Sequence, residues 1–289
     1  MNWKSIADLI GSEGQVAILG VPMEAGSVTP GRCDLAPETL RNALRRFSTY
    51  DVERGSELFF TLRDLGDLPV QGVSPADGFE PIRAAAAAAV AEHRLTLLIG
   101  GNNAVTRPAV HALGAPLGRV GLITIDAHFD MRDTSAGPMN GNPIRCLLED
   151  GMPGSNICQV GLAPYANTAR MHADARAAGI GVYTLADCLE RGMHGVLNHA
   201  LNRFTDLDVL MVDFDIDAID RAHCPGAPGA RPGGMLPSMF FAAARRLAAE
   251  PRVKLVDLTE FDPSLDVSDI TALIAGRWVC EILAGFAGR

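Results

Sequence analysis

Three polar clusters in this chain carry residue types and spacings suited to metal-assisted hydrolysis. Asp126-Ala-His128-Phe-Asp130 follows the apolar run Val120-Gly-Leu-Ile-Thr-Ile125, Asp213-Phe-Asp215-Ile-Asp217-Ala-Ile-Asp220 follows Val209-Leu-Met-Val212, and Gly100-Gly-Asn-Asn-Ala104 follows the run 95–99. Side chains alternate along extended backbone, so Asp126, His128 and Asp130 are expected on one side, and Asp213, Asp215 and Asp217 likewise. A lone Asp-x-Asp after a strand reads as a turn or a helix cap. Two such clusters, one holding a histidine, read as a metal site. Five or six carboxylates in one crevice repel one another unless divalent cations compensate them. Carboxylates with one imidazole suit Mn²⁺ above all, then Fe²⁺, Co²⁺, Ni²⁺ or Zn²⁺, with Mg²⁺ less suited. Two ions about 3.5 Å apart, sharing bridging carboxylates, hold a water between them and lower its pKa towards neutrality. The hydroxide so formed attacks an electrophilic carbon.

The elements around these clusters explain why they fall where they do. Runs rich in Val, Ile and Leu at 16–21, 95–99, 120–125, 157–162, 181–185, 209–212 and 254–261 read as strands buried on both faces. Between them, 38–47, 81–93, 104–113, 167–178, 185–204, 237–249 and 270–286 read as helices, mostly rich in alanine and leucine. This alternation predicts a three-layer α/β/α domain with a mainly parallel sheet and right-handed crossovers. In such a sheet ligands bind beyond the carboxyl ends of strands, where the polar clusters stand. No linker or composition break divides the chain, so residues 1–289 read as one domain.

A composition of 48% hydrophobic and 20% charged residues in a chain of 289 excludes a disordered tail or a coil. The formal net charge of −9 disfavours general attraction to nucleic acid or anionic membranes, so neither is expected as a partner. The opening MNWKSIADLIGSEG has no basic region followed by an apolar one, and a cytoplasmic protein is expected. The six cysteines are widely spaced and read as buried thiols; Cys224, beside Pro225 and Gly226, has no nearby base in sequence to make it a nucleophile.

These motifs resemble those of the ureohydrolase family, which includes arginase, agmatinase and formiminoglutamase. The resemblance spans most of the chain. Residues 100–103 resemble the family's Gly-Gly-Asp-His segment, 126–130 its Asp-Ala-His-x-Asp, 215–220 its Asp-x-Asp-x-x-Asp, and Asp257-Leu-Thr-Glu-Phe-Asp-Pro-Ser-Leu-Asp266 its closing Asp-x-x-Glu-x-Asn-Pro-x-x-Asp element. The resemblance implies that Asp126 and Asp215 bridge two Mn²⁺ ions, that His128 and Asp217 complete one site, and that Asp130 with Asn103 completes the other. It further implies that Asp130 shuttles protons, that Glu260 holds the guanidinium or formamidinium group, and that the protein is a homo-oligomer, a trimer or a hexamer.

Departures from the pattern refine the expectation. Asn103 stands where the family has a metal-binding histidine, and an amide oxygen is a weaker ligand for Mn²⁺ than imidazole, so unequal metal affinities follow. Asn102 replaces the preceding acid, Arg221 a proline, and 226–234 the usual Gly-Thr-Gly loop. Asp126 to Arg132 followed by 139–145, with Asn140-Gly141 in place of His-Gly, looks most like formiminoglutamase. Asn140 then belongs to the substrate site, and Arg132 and Arg145 are candidates to pair with the carboxylates of a glutamate-derived substrate. The reaction expected is hydrolysis of formiminoglutamate to glutamate and formamide. Guanidino hydrolysis of arginine, hydroxyarginine or agmatine is the alternative within the chemistry, and a non-catalytic structural or regulatory subunit the alternative outside it. Dinucleotide binding lacks its Gly-x-Gly-x-x-Gly turn after the first strand.

Overall fold

In the computed structural model, which describes residues 3–289, nine strands form one parallel sheet and two more form a short antiparallel hairpin. The strands are β1 (Ile10–Gly11), β2 (Val16–Val21), β3 (Tyr50–Asp51), β4 (Ser56–Glu57), β5 (Leu62–Asp67), β6 (Leu95–Gly100), β7 (Val120–Ile125), β8 (Ile157–Leu162), β9 (Gly181–Thr184), β10 (Val209–Asp215) and β11 (Val253–Thr259). The sheet order is β1-β5-β2-β6-β11-β10-β7-β8-β9, and β3 pairs with β4. Each of β2, β6, β7, β8 and β10 is buried along its whole length, as strands covered on both faces must be.

Helices α1 (Ala36–Ala43), α2 (Pro75–Glu92), α3 (Thr106–His111), α4 (Pro143–Glu149), α5 (Ala169–Ala177), α6 (Leu185–Arg191), α7 (Met193–Asn202), α8 (Pro237–Ala248) and α9 (Ile270–Phe286) cover both faces. Alternate residues of one strand enter opposite cores. Leu210, Val212 and Phe214 of β10 join Leu40, Phe240, Trp278 and Ile282 from α1, α8 and α9. Val209 and Met211 join Ile82, Val110 and Leu147 from α2, α3 and α4 on the other face. The three-layer α/β/α expectation is met.

The differences from the sequence reading have local causes. Helix α2 starts six residues earlier than expected because the Ser74 hydroxyl caps the Asp77 N–H and Pro75 occupies the first turn, while Pro81 sits inside the helix. The expected helix 185–204 is two, broken at Gly192, whose φ of 69° a glycine adopts without strain. Helix α4, seven residues long, and the short strands β1, β3 and β4 carry too little periodicity to be read, and β5, Leu-Arg-Asp-Leu-Gly-Asp, is mostly polar. No helix among the described residues is long and apolar enough to cross a membrane.

The decisive feature is the order of the middle strands. In the sequence β6 precedes β7, but β11 and β10 lie between them in the sheet, so four neighbouring strands end side by side at one crevice.

Candidate active site

Each of those four strands delivers part of the site: β6 leads to Asn102 and Asn103, β11 to Glu260, β10 to Asp215 and Asp217, and β7 to Asp126, His128 and Asp130. The side chains of His128, Asp130, Asp215, Asp217, Asn140 and Glu260 line one cleft of about 130 Å³. Asp126, His128 and Asp217 bring one candidate ligand atom each to within 4.8 Å of one another. The His128 Nδ1 lies 3.0 Å from Asp217 Oδ2 and 3.5 Å from Asp126 Oδ1.

The alternation expected to align these residues is not what aligns them. Strand β7 ends at Ile125, and the residues beyond it turn. The Asp126 Oδ1 accepts the His128 N–H at 2.7 Å, and Asp215 Oδ1 accepts the Asp217 N–H at 2.8 Å, so each carboxylate fixes the turn that presents the next side chain. The Asn167 side chain braces the first turn, accepting from Phe129 N at 2.8 Å and donating to Ala127 O at 2.9 Å. Asp130 and Glu260 hold φ values of 50° and 61°, in the left-handed region that costs non-glycine residues about 1–3 kcal/mol. Glu260 is pinned there by its N–H to the Gly101 carbonyl, at 2.9 Å.

Asp213 separates from Asp215 and Asp217. It lies one pleat below them, fully buried beside its sheet neighbour Asp257, with the Thr106 hydroxyl 3.3 Å from Asp213 Oδ1 and 3.1 Å from Asp257 Oδ2. Burial first, then the charge of its neighbour, pushes the Asp213 carboxyl up; burial pushes Asp257 up to about 7. Asp220 belongs to the loop that follows, accepting from Ala222 and Gly233 N–H groups.

Asn103 stands beside Asp130, with its amide held by hydrogen bonds to its neighbours. Its Nδ2 donates to Asp130 Oδ2, while its Oδ1 faces the hydroxyls of Thr106 at 2.6 Å and Thr259 at 3.3 Å. Two hydroxyl donors thus face the Asn103 oxygen, and ligation through it requires the amide to exchange these partners and its bond to Asp130. Asn102 holds the neighbouring loop, donating to Ala25 O at 2.8 Å and Ser27 Oγ at 2.7 Å.

Glu260 accepts from Asn103 N at 2.7 Å and from Asn140 Nδ2 at 3.0 Å, both at Oε1. Its Oε2 has no hydrogen-bond partner among the described residues. Arg132 lines the cleft; Arg145 does not, and the expectation that it pairs with substrate is corrected. Its guanidinium donates to Asp174 Oδ2 at 2.6 Å, a bond fixed by the orientation of α4 that sequence distance could not reveal. Residues the sequence did not single out also line the cleft: Val28, Thr29, Asn167, Met171, Pro228, Gly229 and Arg231. The loop 226–234 gave no strand-end or acidic signal by which to find the last three.

Charge crowding shows in the protonation of the cluster. Burial, reinforced by like charges, raises Asp126 to about 6 and Glu260 to about 7, and lifts Asp130 and Asp215 well above the usual carboxylate range. The Asp217 carboxylate raises His128 to about 12, and Asp217 itself is lowered against its burial by that imidazolium. Asp217 Oδ1 is buried without a hydrogen-bond partner. An orphaned carboxylate oxygen amid three further buried acids and an imidazole is a donor set that fits a divalent cation.

A family model described as the arginase family matches residues 14–285. A formimidoylglutamase from Halalkalibacterium halodurans is 31% identical over 275 residues, spanning 93% of this chain and 86% of that one. The crystal structure of formimidoylglutamase from Bacillus subtilis superposes with a TM-score of 0.93 at 28% identity, over 98% of this chain and 92% of that one. A Trypanosoma cruzi formiminoglutamase solved with Mn²⁺ shares the fold, with a TM-score of 0.91 at 22% identity and 99% of each chain covered.

Proposed function

The chain belongs to the arginase family, and from that premise we propose that it is a metal-dependent amidine hydrolase converting formiminoglutamate and water to glutamate and formamide. The observation that carries this reading is the meeting, at four adjacent strand ends, of an acid and imidazole cluster with a glutamate whose Oε2 is unengaged.

Asp126, His128, Asp215 and Asp217 would hold Mn²⁺, with Asp130 joining them. When bound, the ion supplies Lewis acidity, making water nucleophilic near neutral pH and offsetting negative charge that develops in the reaction. Glu260 accepts N–H groups of the formamidinium through Oε2, because Oε1 is held by Asn103 and Asn140, and this fixes the amidine carbon over the cluster. Asp130 takes a proton from the attacking water. As the tetrahedral carbon collapses, the bond to the glutamate nitrogen breaks and that proton passes to the leaving amine. Formamide keeps the carbon and the terminal nitrogen, so atoms balance with one water consumed.

The reading is tested by incubating Mn²⁺-loaded protein with N-formimino-L-glutamate and with arginine, hydroxyarginine and agmatine. Formamide and glutamate in equal amounts from the first is the expected result. Urea or hydroxyurea from a guanidino compound, with no formamide, would overturn the substrate. Inertness toward all four would favour a non-catalytic subunit. Self-association as a trimer or hexamer belongs to the same reading, and sedimentation equilibrium measures it.

A further inference from the structure

Two guanidinium groups at the cleft mouth have no carboxylate to neutralise them. Other arginines near the site are paired, Arg145 with Asp174 and Arg107 with Asp150. Arg132 and Arg231 both line the cleft, both are exposed, and neither takes part in an ion pair among the described residues.

They stand on opposite flanks of the acidic floor. Arg132 is on the Glu260 side: its N–H donates to the Gly141 carbonyl at 3.0 Å, next to the Asn140 that binds Glu260. A Cβ on Gly141 would meet its Cδ at 2.6 Å, so the glycine makes room for the Arg132 stem. Arg231 is on the Asp217 side, two residues after Gly229, where a Cβ would lie 1.9 Å from Asp217 Oδ2. One terminal nitrogen of Arg231 donates to the carbonyls of Gly229 at 2.7 Å and Ala230 at 3.2 Å, orienting the fork. Its Nε and second terminal nitrogen have no protein partner among the described residues.

The loop bearing Arg231 is held by Arg221. The Arg221 guanidinium donates to the carbonyls of Ala227 at 2.9 Å and Pro228 at 3.3 Å, and its N–H to Arg231 O at 3.1 Å. Arg221 is therefore a positioning residue for the loop.

Oriented guanidinium forks over an acidic floor repel a cationic tail and attract an anionic one, and each fork matches a carboxylate bidentately. We propose that Arg132 and Arg231 form a two-sided clamp selecting amidine substrates that carry two carboxylates, with Arg231 the specificity-determining member. The clamp rests on the amidine-hydrolase reading only for the chemistry at the other end of the substrate.

Binding of L-glutamate and L-glutamine to the Mn²⁺-loaded protein, measured by calorimetry without turnover, tests it. Arg132→Gln and Arg231→Gln should each weaken glutamate binding at least about tenfold, a loss typical of one charge-assisted pair. Glutamine, with one carboxylate, should bind the parent protein less tightly than glutamate and respond to only one of the two substitutions. Arg231→Lys should recover part of the loss, since it restores charge without the fork. Circular dichroism on each variant separates misfolding from lost contact. Unchanged glutamate affinity in folded Arg231→Gln overturns the clamp, whatever substrate the parent hydrolyses. Discrimination between glutamate and glutamine that follows the two arginines, in a protein releasing no formamide, upholds the clamp and overturns the reaction instead.

Discussion

The Asn103 side-chain amide donates to Asp130 Oδ2, so a neutral hydrogen-bond donor stands against this carboxylate. Thr106 and Thr259 hold the amide in that sense by donating to its oxygen. The side of the site nearest Asp130 thus starts with a satisfied carboxylate, whereas the Asp217 side has an orphaned oxygen. Cation affinity should differ accordingly between the two sides.

Replacing Asn103 with histidine tests this difference. An imidazole nitrogen is a stronger ligand than an amide, and the substitution also frees Asp130 from its internal bond. Asn103→His is expected to raise the Mn²⁺ retained after gel filtration from near one ion per chain towards two, with the weaker site tightening about tenfold or more by calorimetric titration. An unaltered stoichiometry would show that Asn103 does not limit the second ion.

Protonation and metal compete for the same atoms, and the sign of the pH dependence follows. Asp126 is raised from 3.8 to about 6, Glu260 from 4.5 to about 7 and His128 from 6.5 to about 12. A group raised on folding stabilises below its unfolded pKa and loses that contribution as pH climbs through its folded value. Metal-free protein should therefore lose thermal stability between about pH 4 and pH 7 through Asp126 and Glu260, with a Tm fall on the order of 5 °C, and lose more above about pH 6.5 through His128. Mn²⁺ should reverse the loss at pH 7.5, bind more weakly below about pH 6, and release protons on binding. Differential scanning calorimetry with and without chelator reads the first part, and titration in two buffers of different ionisation enthalpy the second.

Glu260→Gln keeps the Oε1 acceptor used by Asn103 and Asn140 while removing the charge proposed to meet the formamidinium. The expected loss in kcat/KM is about 10²-fold or more, corresponding to roughly 3 kcal/mol of charge-assisted binding. Thermal stability in the presence of Mn²⁺ should change little. Activity within threefold of the parent would remove Glu260 from the site.

Gly229 is set by contact with the site itself. A Cβ there would come within 1.9 Å of Asp217 Oδ2, so Gly229→Ala must displace the carboxylate or the loop. Gly229 is half-buried between the core residues Ala227 and Ala230, so the expected result is weaker Mn²⁺ binding and at least a tenfold activity loss, with a Tm fall of several degrees that Mn²⁺ does not restore. Metal binding as tight as in the parent would show that the loop yields instead.

Much of this arrangement could be read from the chain. Strand-length runs of Val, Ile and Leu ending in acidic clusters specify buried strands whose polar ends face solvent, because a buried parallel strand tolerates such residues only where it emerges. That signal pointed to Asp126, His128, Asp130, Asp215 and Asp217, whereas Glu260, inside the expected strand 254–261, came only from the family resemblance. The signal misgrouped Asp213, because alternation along β10 does not tell which pleat lies below the crevice floor. It also favoured Arg145 over Arg231, since nothing in a linear pattern reports that Asp174 waits across α4 for one and that no acid waits for the other.

The sequence by itself determined the layers, the strand ends and the types of side chain placed there, because hydrophobic period and polar breaks are properties of neighbouring residues. Only the tertiary structure decided that β10 and β11 enter between β6 and β7, which sets the four ends together, and which way the Asn103 amide turns. Those outcomes depend on contacts between residues more than a hundred positions apart, such as Asn103 with Thr259 and Glu260. No local pattern encodes the distance and angle of such contacts; they arise when the sheet closes and the buried polar groups must find partners.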